Sequence, residues 1–390
     1  MSLKTRLSVL FISTPVLAFV IVGGLMGKEP AGDQTLQHLR VFDDVVSLVM
    51  NHYVGEVKPD RVMDGALRGL ADGLDPDSAY LDARQVQSLE SGEALPDGEV
   101  GLEFTRQYYL RVIAARDGSP AARAGLQTGD TVRAVDGRPT RDMSVFEGMR
   151  LLRGKPGTKV TLTVLRNNAA DPHEIVLVRE APSGPSVTSR LIDGDIGYLR
   201  IVAFRDDAAA ELRKQAAELK RGGARSLVLD VRGTAEGTFD SGVAAARLFV
   251  KSGTLTIKSA RSGEAVRESI EAAAGDGAIE GPVMLLVTTG TAGPAEVFVA
   301  ALDGNGRAEL VGERTLGRSG QQRLVKLPEG RGLWLTYVRY LTPGGQAIQG
   351  RGIEPDLAVE EPSVEFGAPP PTTDPILEAA IAHIRTRAAA

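Results

Sequence analysis

Ser226-Leu227-Val228-Leu229-Asp230-Val231-Arg232-Gly233 is the stretch that decides the architecture of this chain. Ser226 to Val231 reads as a strand buried on both faces, because its apolar residues run on without alternation and a glycine closes it. Working outward, Ile196 to Ile201 reads as a strand and Ala208 to Lys220 as an amphipathic helix. Gly242 to Phe249 reads as another helix, and Val283 to Val287 as a second buried strand. Strand and helix alternating in this way predict α/β layers, here across 183–360.

Upstream the rhythm changes. Short alternating runs at Leu110 to Ala114, Thr131 to Val135, Lys159 to Leu165 and Glu174 to Val178 read as strands. Turn signals separate them: Asp117-Gly118, Asp136-Gly137 and Asn167-Asn168. This β-rich stretch, 96–182, is expected to form a module of its own. Before it, 31–95 reads as helical, with Leu36, Leu39, Phe42, Val45, Val46 and Val49 recurring at three- and four-residue steps that gather on one face. A second helix is expected near Asp60 to Leu74. Asp75-Pro76-Asp77-Ser78 ends it, since proline disfavours helix in the residue before it. Within 361–390, Ala368-Pro369-Pro370-Pro371 reads as a linker to a short helix beginning near Asp374-Pro375. The chain is therefore an α/β multidomain protein.

Its 390 residues are enough for several domains with their own cores. A content of 43% hydrophobic and 24% charged residues fits globular protein rather than disorder. A net charge of −5 without a Lys/Arg-rich block argues against nucleic acid as a partner. There are no cysteines, so disulfides and thiolate metal sites are excluded. His38, His52, His173 and His383 stand at no zinc-like spacing. No metal and no cofactor is expected.

The N-terminus carries an address. Lys4 and Arg6 precede the uncharged run VLFISTPVLAFVIVGGLMG, Val9 to Gly27, which is near the length that spans a bilayer. Pro15, Gly23 and Gly24 would make it a poor soluble helix, and no clean small-x-small cleavage site closes it. A retained anchor within 1–30 is expected, with a cleaved signal peptide as the alternative. Lys4 and Arg6 would then stay cytoplasmic. Everything after Lys28 would stand in the cell envelope, facing the periplasm or another extracytoplasmic space.

Two segments, Gly118-Ser119-Pro120-Ala121-Ala122-Arg123-Ala124-Gly125-Leu126-Gln127-Thr128-Gly129-Asp130 and Leu152-Arg153-Gly154-Lys155-Pro156-Gly157-Thr158, together resemble a PDZ domain. The resemblance implies a carboxylate-binding loop at Val100-Gly101-Leu102-Glu103-Phe104. There, successive backbone N–H groups point at a peptide's C-terminal carboxylate while the peptide adds as an edge strand. Gly101 suits such a loop because it lacks a Cβ. The alternative is a module that packs internally and binds no free peptide.

Further segments are similar to the C-terminal processing peptidases, also called tail-specific proteases. They are His52-Tyr53-Val54, Leu74-Asp75-Pro76-Asp77-Ser78-Ala79-Tyr80-Leu81, Gly194-Asp195-Ile196-Gly197-Tyr198, Leu229-Asp230-Val231-Arg232, and the run from Tyr340-Leu341-Thr342-Pro343 to Gly352-Ile353-Glu354-Pro355-Asp356. They follow the family order from Gln34 to Val359. The resemblance implies a serine/lysine peptidase core: a nucleophilic serine three positions before a glutamate, a lysine base, and a glutamine four positions past the lysine. Carried over to Thr289-Gly290-Thr291-Ala292-Gly293-Pro294-Ala295-Glu296 and Leu316-Gly317-Arg318-Ser319-Gly320-Gln321-Gln322, the serine position is Gly293 and the lysine position is Arg318. Gln322 keeps the glutamine.

Those departures bear on chemistry. Gly293 has no hydroxyl to attack with, and a guanidinium at Arg318 stays protonated at any physiological pH. In such sites the N–H of the residue after the nucleophile donates to the oxyanion, and here that residue is Pro294, which has none. The family's second oxyanion turn, usually Asn-Asn-Pro-Gly-Gly, reads Gly233-Thr234-Ala235-Glu236-Gly237, with a bulky acid in place of one glycine. The expected protein is an inactive family member that binds C-terminal or unfolded peptide segments, as an adaptor or as the regulator of an active homologous peptidase. Two alternatives stand beside it: an active endopeptidase that has moved its chemistry to Thr291 or Ser319 with Lys326 as base, and a purely structural role.

Overall fold

The computed structural model describes residues 32–92, 95–166, 171–261, 265–362, 364–368 and 371–389. The expected anchor at 1–30, the Asn167-Asn168 turn, and Pro369 and Pro370 of the linker lie outside the described residues. Among the described residues, no helix is long and apolar enough to cross a membrane.

The chain divides into two compact units, 1–67 and 68–390. In the first, helix α1 spans Gly32–His52, and helix α2, Pro59–Asp72, begins. The apolar stripe expected on α1 is present, but Leu39, Phe42, Val45 and Val49 are exposed rather than packed.

The second unit opens with strand β1 (Ala79–Leu81) and helix α3 (Ala83–Glu90). A side-chain cap starts α3: Gln85 N donates to Asp82 Oδ1, and the Asp82 N–H donates back to Gln85 Oε1. Next come β2 (Leu102–Gln107), β3 (Tyr109–Ala115), the single turn α4 (Pro120–Arg123), β4 (Thr131–Val135), β5 (Arg138–Pro139), helix α5 (Val145–Leu152), β6 (Lys159–Leu165) and β7 (His173–Val178). They build a sheet in the order β2-β3-β4-β6-β7, with β5 beside β4. Val100, Phe104, Leu110, Val132, Leu162 and Val164 are among its fully buried core residues. The Thr128-Gly129-Asp130 motif has a structural reason: buried Asp130 accepts two hydrogen bonds from the Arg166 guanidinium, both at 2.7 Å, and one from the Gln127 N–H.

The expected loop at Val100 to Phe104 needs correction. Leu102, Glu103 and Phe104 belong to β2, with Leu102 and Phe104 buried and the residue between them half-buried. That alternation is what one strand facing a core demands. Only Val100 and Gly101 remain as loop.

The remaining elements are β8 (Val187–Ile192), β9 (Ile196–Ile201), α6 (Ala208–Arg221), β10 (Ser226–Asp230), α7 (Phe239–Ala246), β11 (Thr254–Arg261), β12 (Ala265–Glu271), β13 (Val283–Val287), α8 (Pro294–Gly304), β14 (Glu309–Gly312), β15 (Gly320–Lys326), β16 (Gly332–Leu341), β17 (Leu357–Ala358) and α9 (Pro375–Ala389). The central sheet runs β17-β14-β13-β10-β9-β8, parallel from β17 to β9 and antiparallel at β8. Its apolar strands are continuous because both faces are covered. Leu227, Leu229, Leu285 and Val287 join the large core with α6, α7 and α8, while Val228, Met284 and Leu286 pack with Ile376, Ala380 and Ile384 of α9. A second sheet, β1-β16-β11-β12 with β15 on β16, completes this part. Helix α7 starts earlier than its apolar pattern suggests, because Thr238 caps it by accepting from the Ser241 N–H.

Candidate functional site

Gly293 sits immediately before α8 with φ 62° and ψ −124°, a backbone conformation costly for any residue with a side chain. Glu296, three residues on, is fully buried beneath it and gathers four donors. Its Oε1 accepts from Thr315 Oγ1 at 2.5 Å and from the Gly317 N–H at 2.6 Å. Its Oε2 accepts from the Arg318 N–H at 2.6 Å and from the Gly293 N–H at 3.3 Å. The Gly293 N–H also donates to the Arg318 carbonyl at 2.9 Å. One buried carboxylate thus brings together the two positions that stand for nucleophile and base.

What those positions offer is now specific. A Cβ added at Gly293 would find the Ala235 carbonyl oxygen at 3.4 Å and the Arg318 carbonyl oxygen at 3.9 Å. Both of these nearest groups are backbone carbonyl oxygens. Pro294, buried at the first position of α8, brings no N–H. The Arg318 guanidinium donates through Nε to Asp77 Oδ1 at 2.9 Å and reaches Glu103 Oε2 at 3.4 Å. Burial alone would lower its pKa, but the Asp77 and Glu103 carboxylates outweigh burial and hold it above the ordinary arginine value. Arg318 therefore works as a fixed cation. Burial pushes the Glu103 carboxyl up, Arg318 opposes the shift, and the carboxylates of Glu236 and Glu99 add to it.

Glu236 is held through its side chain by two guanidiniums. Its carbonyl accepts from the Phe204 N–H, while its carboxylate takes Arg116 Nη1 at 2.7 Å and Arg205 Nε at 2.9 Å. Burial by itself would raise the Glu236 carboxyl, yet these two guanidiniums keep it below its usual value. Gly237 has φ 127°, and a Cβ there would fall 2.1 Å from the Phe204 carbonyl oxygen, so only glycine fits. Gln322 lies apart, donating to the Gly320 carbonyl and to Thr336 Oγ1, both at 3.1 Å, and so ties into the sheet.

The residues considered for relocated chemistry are engaged elsewhere. Thr291 Oγ1 is buried and donates to the Val231 carbonyl at 2.9 Å. Ser319 Oγ, also buried, donates to the Tyr340 carbonyl at 3.0 Å. Lys326 is exposed at the end of β15 and pairs with Glu90. Among the described residues, no group of three or more His, Asp or Glu is placed to hold a metal ion.

The residues expected to bind peptide meet this region directly. β2 is an edge strand, and helix α5 packs beside it. A cavity of about 70 Å³ is lined by Val100, Gly101, Leu102, Met149 and Leu152 on one side and by Ala235 and Glu236 on the other. Gly101 has φ 73°, and a Cβ there would strike Ser119 Cβ at 2.3 Å. Ile113 and Ala114 of β3 cluster with Ala235, Ala292 and Leu316, sealing the two sheets together. Sequence reasoning missed Asp77, Arg116 and Arg205 as members of this site. Asp77 stands 241 residues from its partner Arg318, and no spacing rule spans such a gap.

The buried Glu296 carboxyl sets a pH dependence. Burial pushes it up to about 7 against four donors that pull it down, while the unfolded chain titrates near the ordinary 4.5. The folded protein therefore holds this proton more tightly. The resulting stability is fully present below about pH 4.5 and is lost as pH rises through 7, on the order of 3 kcal/mol in total. Thermal melts from pH 4.5 to 8 should show the melting temperature falling across this window. In Glu296→Gln that slope should vanish, because an amide has no proton to lose in this range. A melting temperature that climbs with pH in the wild type, with the variant following the same curve, would refute the assignment.

Residues 195–359 match peptidase family S41, and residues 111–166 match the PDZ domain. A carboxy-terminal-processing protease of Bartonella bacilliformis is 31% identical over 336 residues, covering 85% of this chain and 77% of that protein. A carboxyl-terminal-processing protease of Synechocystis is 36% identical over 261 residues, covering 66% of this chain and 60% of that protein. Among solved structures, a photosystem II D1 C-terminal processing protease superposes with a TM-score of 0.67 at 28% identity, covering 80% of this chain and 85% of that one. The chain belongs to the C-terminal processing peptidase family, with a PDZ domain and an S41 peptidase core.

Proposed function

We propose that this protein is a family member that has exchanged peptide hydrolysis for peptide binding. It acts outside the cytoplasm as an adaptor, or as the regulator of an active homologous peptidase. The observation that carries this reading is the pairing at the family's catalytic positions: a glycine faced by two carbonyl oxygens, beside an arginine held between Asp77 and Glu103. Amide hydrolysis by this route needs an attacking oxygen, a group that takes its proton, and donors for the oxyanion. None of the three is supplied by Gly293, Arg318 and Pro294. The names of the similar proteins support C-terminal peptide segments as the ligand class. The edge strand β2, with Gly101 at its head, supports strand addition as the mode of binding.

Incubated with an unfolded test protein that has an apolar C-terminal tail, the full chain should yield no fragments by mass spectrometry. The Gly293→Ser/Arg318→Lys variant should also stay silent, because the introduced ammonium would remain protonated between Asp77 and Glu103 and Pro294 still lacks its N–H. Wild-type cleavage that disappears in Ser319→Ala overturns the reading in favour of relocated chemistry.

Fluorescence titration separates the adaptor from a purely structural role. A peptide ending in an apolar residue should bind as the free acid about tenfold tighter than as the C-terminal amide. Equal affinities, or none for either, would remove the peptide-binding reading.

Membrane attachment through 1–30 is part of the same proposal, and the uncharged run at 9–27 supports it. The full chain should sediment with membranes, and a chain lacking 1–30 should not. Equal partitioning of the two forms defeats that part.

A further inference from the structure

Arg116 lies at the end of the peptide cavity, in contact with the core across from it. Its side chain is only 7% exposed, and it lines the cavity with Val100, Gly101 and Leu102. Its backbone N–H donates to the Gly101 carbonyl at 2.8 Å, and its Nη2 lies 3.5 Å from where a Cβ on Gly101 would stand. The guanidinium is therefore fixed at the head of the loop where a peptide carboxylate would arrive. Its Nη1 is shared by two carboxylates, Glu99 from its own module and Glu236 from the core turn. Its Nε is buried and has no hydrogen-bond partner among the described residues. Glu236 stands where the family resemblance gives a glycine, which has no side chain to make this contact.

We propose that Glu236 is an internal stand-in for a ligand's C-terminal carboxylate: it occupies Arg116 in the peptide-free protein, and an incoming peptide with a free carboxylate and an apolar last side chain must displace it. The inference rests on the peptide-binding reading above and names the regulation of that same site. Charge enforces the exchange. The cavity wall already sets Glu99 and Glu236 against Arg116 and Arg153, so a third carboxylate entering beside both acids meets their repulsion. Released from Arg116, Glu236 keeps its contact with Arg205 Nε at 2.9 Å, so leaving does not strand it. The apolar preference follows from Val100, Leu102, Met149 and Leu152 on the cavity wall.

The test uses the full chain and a fluorescein-labelled peptide ending in Leu-Ala-Ala, as free acid and as amide. Glu236→Gln should tighten the free acid about tenfold and leave the amide unchanged, as expected for removal of a competing charge. The Arg116→Gln/Glu236→Gln double variant, checked for folding by its thermal melt, should lose that gain. A Glu236→Gln affinity equal to wild type, or an equal gain for acid and amide, overturns the proposal. Hydrogen exchange without peptide separates this failure from failure of the binding reading. Release of the contact should speed exchange at Val100 to Phe104 in Glu236→Gln. If exchange speeds up but no peptide binds either protein, the contact stands and the ligand reading falls. If exchange is unchanged, the contact holds nothing and the proposal falls.

Discussion

A single buried carboxylate organises the centre of this molecule. Glu296 takes donors from Gly293 at the head of its own helix and from Thr315, Gly317 and Arg318 on a separate segment. It adds to the direct backbone links between the turn before α8 and the entry to β15, Gly293 N–H to the Arg318 carbonyl and Leu316 N–H to the Thr291 carbonyl. Thr315 extends the knot, since its hydroxyl accepts from the Ile353 N–H at 2.9 Å. A carboxylate in a fully buried place persists only when both oxygens are satisfied, and here all four contacts come from backbone N–H or a hydroxyl. The positions related to catalysis are thus held by a structural device that does not need catalysis to be worth keeping.

Around that knot, ion pairs and apolar contacts together join the modules. Glu103 meets Arg318, Arg116 meets Glu236, and Asp117 accepts two hydrogen bonds from Arg200 at 2.9 and 3.0 Å. The apolar part includes Ile113, Ala114, Ala235, Ala292 and Leu316, and Phe146 of α5 against Trp334 of β16 with ring centroids 5.6 Å apart. Interfaces built this way are specific in register and sensitive to competing ions of the same type.

Much of the fold could be read from local pattern. Thr131–Val135, Lys159–Leu165 and Val283–Val287 announce themselves by alternation or by continuous apolar runs, and the structure has them at those bounds. β2 escaped because its later half, Thr105-Arg106-Gln107, is polar and its apolar residues were absorbed into the loop assignment. The identities at Gly293, Pro294 and Arg318 were legible because each is a chemical type with a definite incapacity. Their environment was not. That Ala235 and Arg318 turn carbonyl oxygens toward Gly293, and that Asp77 reaches Arg318, depends on segments that meet only when the chain has folded. The partners of Glu236 were hidden for the same reason, since Arg116 and Arg205 reach it only in the folded chain.

The backbone at position 293 carries a last consequence. At φ 62° and ψ −124° a side chain bears a strain of roughly 1–3 kcal/mol, which glycine escapes. Loss of a hydroxyl at this corner is therefore a downhill step for the fold, and regaining one is uphill. Pro294 deepens the asymmetry, since its ring fixes the first turn of α8 without asking for a hydrogen bond. A chain that has settled into this pair of residues has relaxed a spring that an acting nucleophile would keep wound.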